Sequence, residues 1–267
     1  MTTGAWPRTE SIWWMTTIGM LALFAVTAVL ALVDRRMIAG ASVWAKPLKF
    51  ELSLAIHFAT LALVASVLGE TWRRSPWLEA VAWASAACAL FEIAYIALQA
   101  ARQQGSHFNV STPLYAALYS AMAVGAVVIT AAAAVVGVAA AIDPQARFGP
   151  ATRWGVVLGL VGGTVLTLIT AFRIGAAMSP HVGIEPAGAA RMPLTGWSLV
   201  VGDRRVAHFF ATHMMQALPL AGLLLDRLLS RGPALVAVVA LAVGWTALTL
   251  LLYRQADAGL PLLSRGG

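Results

Sequence analysis

A chain of 267 residues in which 60% are hydrophobic and only 11% carry a charge lies outside the composition of soluble domains. The formal net charge of +7 comes almost wholly from arginines in the polar connections, where it reads as topology signal and lipid-headgroup contact. This argues against nucleic acid and for the lipid bilayer as partner. A single cysteine, Cys88, inside an apolar run leaves neither a disulfide framework nor a cysteine metal motif.

A spanning helix needs about 20 mainly apolar residues. Seven segments meet that criterion: Ile12 to Val33, Leu48 to Gly69, Trp77 to Gln99, Pro113 to Ile142, Trp154 to Met178, Arg205 to Leu225 and Pro233 to Tyr253. The punctuation between them is Asp34-Arg35-Arg36, Arg73-Arg74-Ser75-Pro76, Asp143-Pro144 and Ser230-Arg231-Gly232-Pro233. Met1 to Glu10 lacks a basic leader and a small-residue cleavage site, so the first run is expected to be a retained span. Trp13, Trp14, Trp44, Trp72, Trp77, Trp154 and Trp197 fall near span ends, where indole rings favour the membrane interface. Gly159, Gly162 and Gly163 are expected to let helices approach closely. The expectation is an all-α, polytopic bundle of seven transmembrane helices. It forms a single transmembrane domain over residues 1–267 in the inner (plasma) membrane.

In a seven-span bundle the first, third and fifth connections emerge on one side, and these hold the distinctive residues. The first ends in Trp44-Ala-Lys46-Pro-Leu-Lys49-Phe-Glu51, with both lysines of the chain. The third runs from Gln99 through Arg102, Ser106 and His107 to Asn109. The fifth carries His181, then Asp203, Arg204, Arg205, His208 and His213 as it enters the sixth span. Counting every loop cation, Arg265 included, makes this face cytoplasmic. Setting aside the suspected site residues reverses the balance, and an extracytoplasmic face is the expectation.

Depth follows from a rise of about 1.5 Å per residue, which puts His57 and His213 each roughly 12 Å beneath that face. Glu92 lies near the same level and on one helical stripe with Gln99. An ionisable group inside a membrane is by default a functional-site hypothesis, and a carboxylate with Arg173 or an imidazole in range is more tolerable than one alone. His57 also has an ordinary reading as an interhelical hydrogen-bonding residue, and Arg35 and Arg36 as topology signals.

At an offset of 156 residues Lys49 matches Arg205, His57 matches His213 and Glu70 matches Asp226. Spans two and three would then mirror six and seven, a 3+1+3 parallel repeat with the fourth as connector. The Lys46 to Phe50 run, the Gln99 to Asn109 stretch, and Gly202-Asp203 with Arg205, His208, His213 and Gln216 resemble bacterial multi-spanning membrane proteins of uncharacterised function. That resemblance covers much of the chain and supports the three patches as the site, but implies no activity.

Three chemistries compete for these residues. In the first, imidazoles ligate haem or a transition metal for redox chemistry on a small or lipid-borne molecule. The ligands would come from His57, His107, His208 and His213, with His181 an alternative in a shallow three-histidine set. In the second, a proton-coupled transporter takes a small anion, Glu92 and the histidines titrating while the basic entrance collects the substrate. In the third, an enzyme acts on a lipid or isoprenoid substrate whose phosphate or carboxylate headgroup is held by Lys46, Lys49, Arg102 and Arg205, with His208 or His107 as acid or base; Glu92, His107 and His208 are the expected catalytic set. Gln99, Asn109, Asp203 and Gln216 complete the expected binding set. The chain has no HExxH run, haem-attachment cysteine pair or aspartate-rich motif to separate the three.

Overall fold

The computed structural model describes residues 8–38 and 40–263. Most of the Met1 to Glu10 stretch, and Arg265 among the loop cations, lie outside the described residues. The chain divides into two compact units, Met1–Arg147 and Phe148–Gly267.

The first unit contains α1 (Thr9–Val33), a hairpin of β1 (Met37–Ile38) and β2 (Ala41–Ser42), α2 (Ala45–Ser66), a short α3 (Glu70–Arg73), α4 (Pro76–Ala101) and α5 (Pro113–Ile142). The expected Ser75-Pro76 punctuation sets the start of α4, and Thr112 plays the same part for α5. Ser75 and Thr112 accept from the backbone N–H groups of Leu78 and Tyr115, and each cap is followed by proline in the first helical turn. At one end the Arg36 guanidinium donates to the Ala101 carbonyl at 2.8 Å, and the Gln103 amide donates to the Met37 carbonyl at 2.7 Å. The first and third connections therefore meet, as loop parity requires. At the opposite end Arg73 pairs with Glu10, and Asp143 accepts from the Gly69 N–H at 2.6 Å.

The second unit begins with α6 (Pro150–Val157), a five-residue π-helical turn (Leu158–Gly162) and α7 (Gly163–Ala176), which together make one continuous helix. A long connection follows, pinned where β3 (His181–Val182) pairs antiparallel with β4 (Gly202–Asp203), His181 opposite Asp203. Then come α8 (Arg204–Leu228) and α9 (Arg231–Asp257). Gly155, Gly159 and Gly163 lie against the α8 backbone, and Pro219 inside α8 sits over Gly159. Close helix approach is thus the role of Gly159 and Gly163, as expected, and the π turn falls where the proline ring crowds its neighbour. Asp226 near the end of α8 accepts from the N–H groups of Ala151 and Thr152, capping α6. At the other end Asp257 accepts from Arg204 at 2.6 Å and lies 3.5 Å from Arg173.

Among the described residues, six helices are long and apolar enough to cross a membrane: Thr9–Val33, Ala45–Ser66, Pro76–Ala101, Pro113–Ile142, Pro150–Ala176 and Arg231–Asp257. The remaining expected span is α8, a 25-residue helix that carries Arg204, Arg205, His208, His213, Asp226 and Arg227 and falls short on apolarity alone. The fourth span belongs to the first unit, so the chain divides into four long helices and three rather than around a central connector. The tryptophans also depart from expectation. Trp14, Trp77 and Trp154 are exposed, whereas Trp13, Trp44 and Trp197 are buried. The Trp13 indole donates to Ser85 and that of Trp44 to Asp34, so an internal acceptor replaces the interface.

Candidate functional site

Each unit has a polar cluster of its own. In the first, the N-terminal turns of α2 and the connection between α4 and α5 set Lys46 and His107 beside a small aromatic group. The His107 ring packs edge-on to Phe50 at 5.5 Å, Tyr119 lies at 6.2 Å, and Lys46 Nζ stands 5.8 Å from the Phe50 ring centre. Ser106 Oγ is 3.3 Å from His107 Nδ1. Burial, and after it the nearby Lys46 charge, push the His107 imidazole down to about 3, so it is neutral at physiological pH.

Glu92 of α4 is 4% exposed and therefore faces the protein, as expected of a carboxyl in an apolar span. Its surroundings come from α5: a Cβ added at Gly125 would stand 3.3 Å from Glu92 Oε1, so the glycine makes room for the carboxyl. Glu92 Oε1 has no hydrogen-bond partner among the described residues. The expected pairing with Arg173 gives way to a different one, since Arg173 is half exposed and pairs with Asp257. Phe50 closes the Lys46 to Phe50 run, whereas Gly125 and Tyr119 were not legible as site residues, because a glycine or an aromatic in an apolar run carries no signal of what it packs against.

Gln99 and Asn109 have scaffolding contacts. The buried Gln99 amide donates to the Tyr95 hydroxyl and the Gly105 carbonyl, and Asn109 donates to that carbonyl while accepting from Ser111. Both hold the connection that carries His107. Lys49 and Arg102 are exposed, the latter 5.9 Å from the Tyr115 ring centre. His57 is buried, and its Nε2–H donates to the Ile129 carbonyl at 3.2 Å, the interhelical role that competed with a ligand role.

In the second unit Asp203 is 1% exposed and organises the start of α8. It accepts from the Ser198 N–H at 2.9 Å, the Arg205 N–H at 3.1 Å and the Arg205 guanidinium, while His181 Nε2 lies 3.6 Å away. Burial alone would raise Asp203, but the Arg205 hydrogen bonds and charge, with help from His181 and Ser198, hold it far below the usual carboxylate range. Arg205 also donates to the Gly196 carbonyl at 3.0 Å, tying the long connection to α8.

His208 Nδ1 shares a 2.9 Å hydrogen bond with Thr170 of α7. His213 Nδ1 lies 2.9 Å from the Phe209 carbonyl, and its ring stacks on that phenyl at 4.0 Å. A carbonyl only accepts, so Nδ1 carries the proton and a neutral His213 has its lone pair on Nε2. The orienting partner is thus the carbonyl one turn back. The half-buried Gln216 lies one turn further along α8. Among the described residues no group of three histidine, cysteine, aspartate or glutamate side chains gathers as a metal site.

Comparison with family models, with curated proteins and with solved structures gave no match. Fold and composition together define the class: a helical membrane protein with several apolar spans, rich in buried polar groups.

Proposed function

We propose that this chain is a multi-pass plasma-membrane carrier in which Glu92 binds and releases the proton that accompanies a small anionic substrate. The carrying observation is Glu92 itself, 4% exposed, in an apolar helix, with one carboxyl oxygen unpartnered. An ionised carboxylate in such a place is costly, so a proton is held there until a change of surroundings releases it. Lys46 supplies the charge that attracts an anion, and neutral His107 accepts or donates a hydrogen bond without competing for that charge. In proteoliposomes enclosing a pH-sensitive dye, a panel of small organic and inorganic anions is tested for coupled proton movement. One or more should drive it, and Glu92→Gln should slow it about a hundredfold, the order by which a positioned proton-transfer group acts. Equal rates in the variant, or no anion that moves protons, would overturn the reading.

This reading uses seven crossings, with α8 as the sixth. Its 25 residues reach about 37 Å at 1.5 Å per residue, more than the roughly 30 Å of a hydrocarbon core. The polar residues of α8 are tolerated because they meet protein: Thr170 takes His208 and Asp257 takes Arg204. Single cysteines placed in a Cys88→Ala background at Gln104 and at Gly232 should label from opposite sides with a membrane-impermeant maleimide. Labelling from one side would remove α8 as a crossing.

A second reading, redox chemistry on haem or a transition metal, is favoured by His213. Its Nδ1–H is fixed on a backbone carbonyl, the orientation that readies Nε2 as a ligand. An optical spectrum and metal analysis of the purified protein decide it: a Soret band or stoichiometric metal, lost in His213→Ala, would replace the carrier reading.

A further inference from the structure

Three buried side-chain oxygens in the α2 and α4 helices of the first unit have no hydrogen-bond partner among the described residues: Gln99 Oε1, Glu51 Oε2 and Glu92 Oε1. The parent residues are 0%, 1% and 4% exposed. Buried polar atoms are normally satisfied, and exceptions in a native fold point to water, an ion or a proton-bearing role. These three also form a series in depth. Gln99 and Glu92 lie two and nine residues in from Ala101, where α4 ends, and Glu51 lies six residues in from Ala45, where α2 begins. At 1.5 Å per residue the depths are roughly 3, 9 and 14 Å in the order Gln99, Glu51, Glu92. Both helix ends belong to one end of the unit, where Trp44 packs on Ala100, and α2 and α4 pack together through Phe50 against Tyr95 and Ile96.

We infer that Glu51 is a second proton-carrying carboxyl and that, with Gln99 and bound water, it forms the access path by which Glu92 exchanges protons with the solvent at the His107 end of the unit. The inference rests on the proton-carrying role of Glu92 given above. Thr27 of α1 donates to Glu51 Oε1 at 2.8 Å, which fixes the carboxyl and leaves Oε2 for the path. In each transfer one O–H bond forms as another breaks. A water proton passes to the Glu51 carboxylate, then from Glu51 to the Glu92 carboxylate, and Glu51 is again ionised for the next. Lys46 and His107 stand beside this path rather than in it, and the His107 imidazole is neutral.

The test uses the full chain in nanodiscs of mixed phosphatidylethanolamine and phosphatidylglycerol, read by infrared spectroscopy on transfer from water to heavy water. The C=O band of the protonated Glu92 carboxyl is identified by its loss in Glu92→Gln. Its deuterium shift should be about tenfold slower or more in Glu51→Gln and in Gln99→Leu, because each removes one hydrogen-bonding step. Unchanged exchange in both variants, with the Glu92 band intact, would sink the path and leave the Glu92 reading standing. No such band in the wild-type protein would overturn both. Labelling of the wild-type protein with dicyclohexylcarbodiimide, followed by peptide mass spectrometry, gives an independent check should a variant fail to fold. Adducts are expected on Glu51 as well as Glu92, and an adduct on Glu92 alone would overturn the role of Glu51.

Discussion

Replacing Asp203 with asparagine is expected to lower the stability of the second unit by about 3 kcal/mol, read as a fall in its thermal unfolding midpoint in mild detergent. The carboxylate accepts from the Ser198 N–H, the Arg205 N–H and the Arg205 guanidinium, and so joins the long connection to the first turn of α8. Asparagine keeps the shape and one acceptor oxygen but leaves the Arg205 charge uncompensated. The cost falls at the lower end for a broken buried pair, because the Arg205 side chain is 34% exposed and water reaches it. The pH dependence has a definite sign. The native Asp203 pKa is depressed, so its stabilisation is complete above the ordinary aspartate value of about 4 and is lost as pH falls toward the native value. The asparagine variant should lack this acid-side loss. A variant as stable as wild type at neutral pH would show that the network is incidental.

The second large effect is expected at Gly155. A Cβ there would overlap the Leu218 carbonyl oxygen and stand 3.0 Å from its carbon, both backbone atoms of α8 that cannot swing aside. Gly155→Ala should therefore destabilise the second unit by about 1–3 kcal/mol through overpacking, after the gain of up to about 1 kcal/mol that alanine brings to a helix. Gly155→Leu should prevent α6 and α8 from packing at all and yield aggregated protein. Gly244 of α9 is the control, since a Cβ there meets nothing within 4 Å. Gly244→Ala should be neutral or stabilising by up to about 1 kcal/mol. Equal behaviour of the two alanine variants in size-exclusion and thermal-shift assays would remove backbone packing as the role of Gly155.

The two positions show why site and fold differ in what can be read ahead of a structure. Asp203 was legible as a candidate because a carboxylate beside two arginines at a helix start is conspicuous in so apolar a chain. In the structure it caps α8 and tethers the long connection. Gln99 and Asn109, expected to bind substrate, hold the His107 connection through the Gly105 carbonyl. Glu51 went unselected, although it lies in the patch that drew attention to Lys46 and Lys49. In sequence it is a carboxylate near a span end, and only packing against α1 shows it 1% exposed with one oxygen unpartnered.

Patterns along the chain suffice for the membrane class, six of the apolar spans, the start of α4 after Ser75-Pro76, the start of α5 at Pro113, and the inward placement of Glu92. Each depends on sums or neighbours along the chain: twenty apolar residues, a cap before a proline, the cost of a carboxyl in lipid. Tertiary structure alone decided the partners, namely Arg173 with Asp257, Trp13 with Ser85, His213 with the Phe209 carbonyl and Gly125 against Glu92. It also decided the division after the fourth long helix. Such facts depend on which helix faces meet and at what rotation. Alanine- and leucine-rich helices with small, evenly spread side chains present nearly equivalent faces, so the choice among them is made by packing in three dimensions.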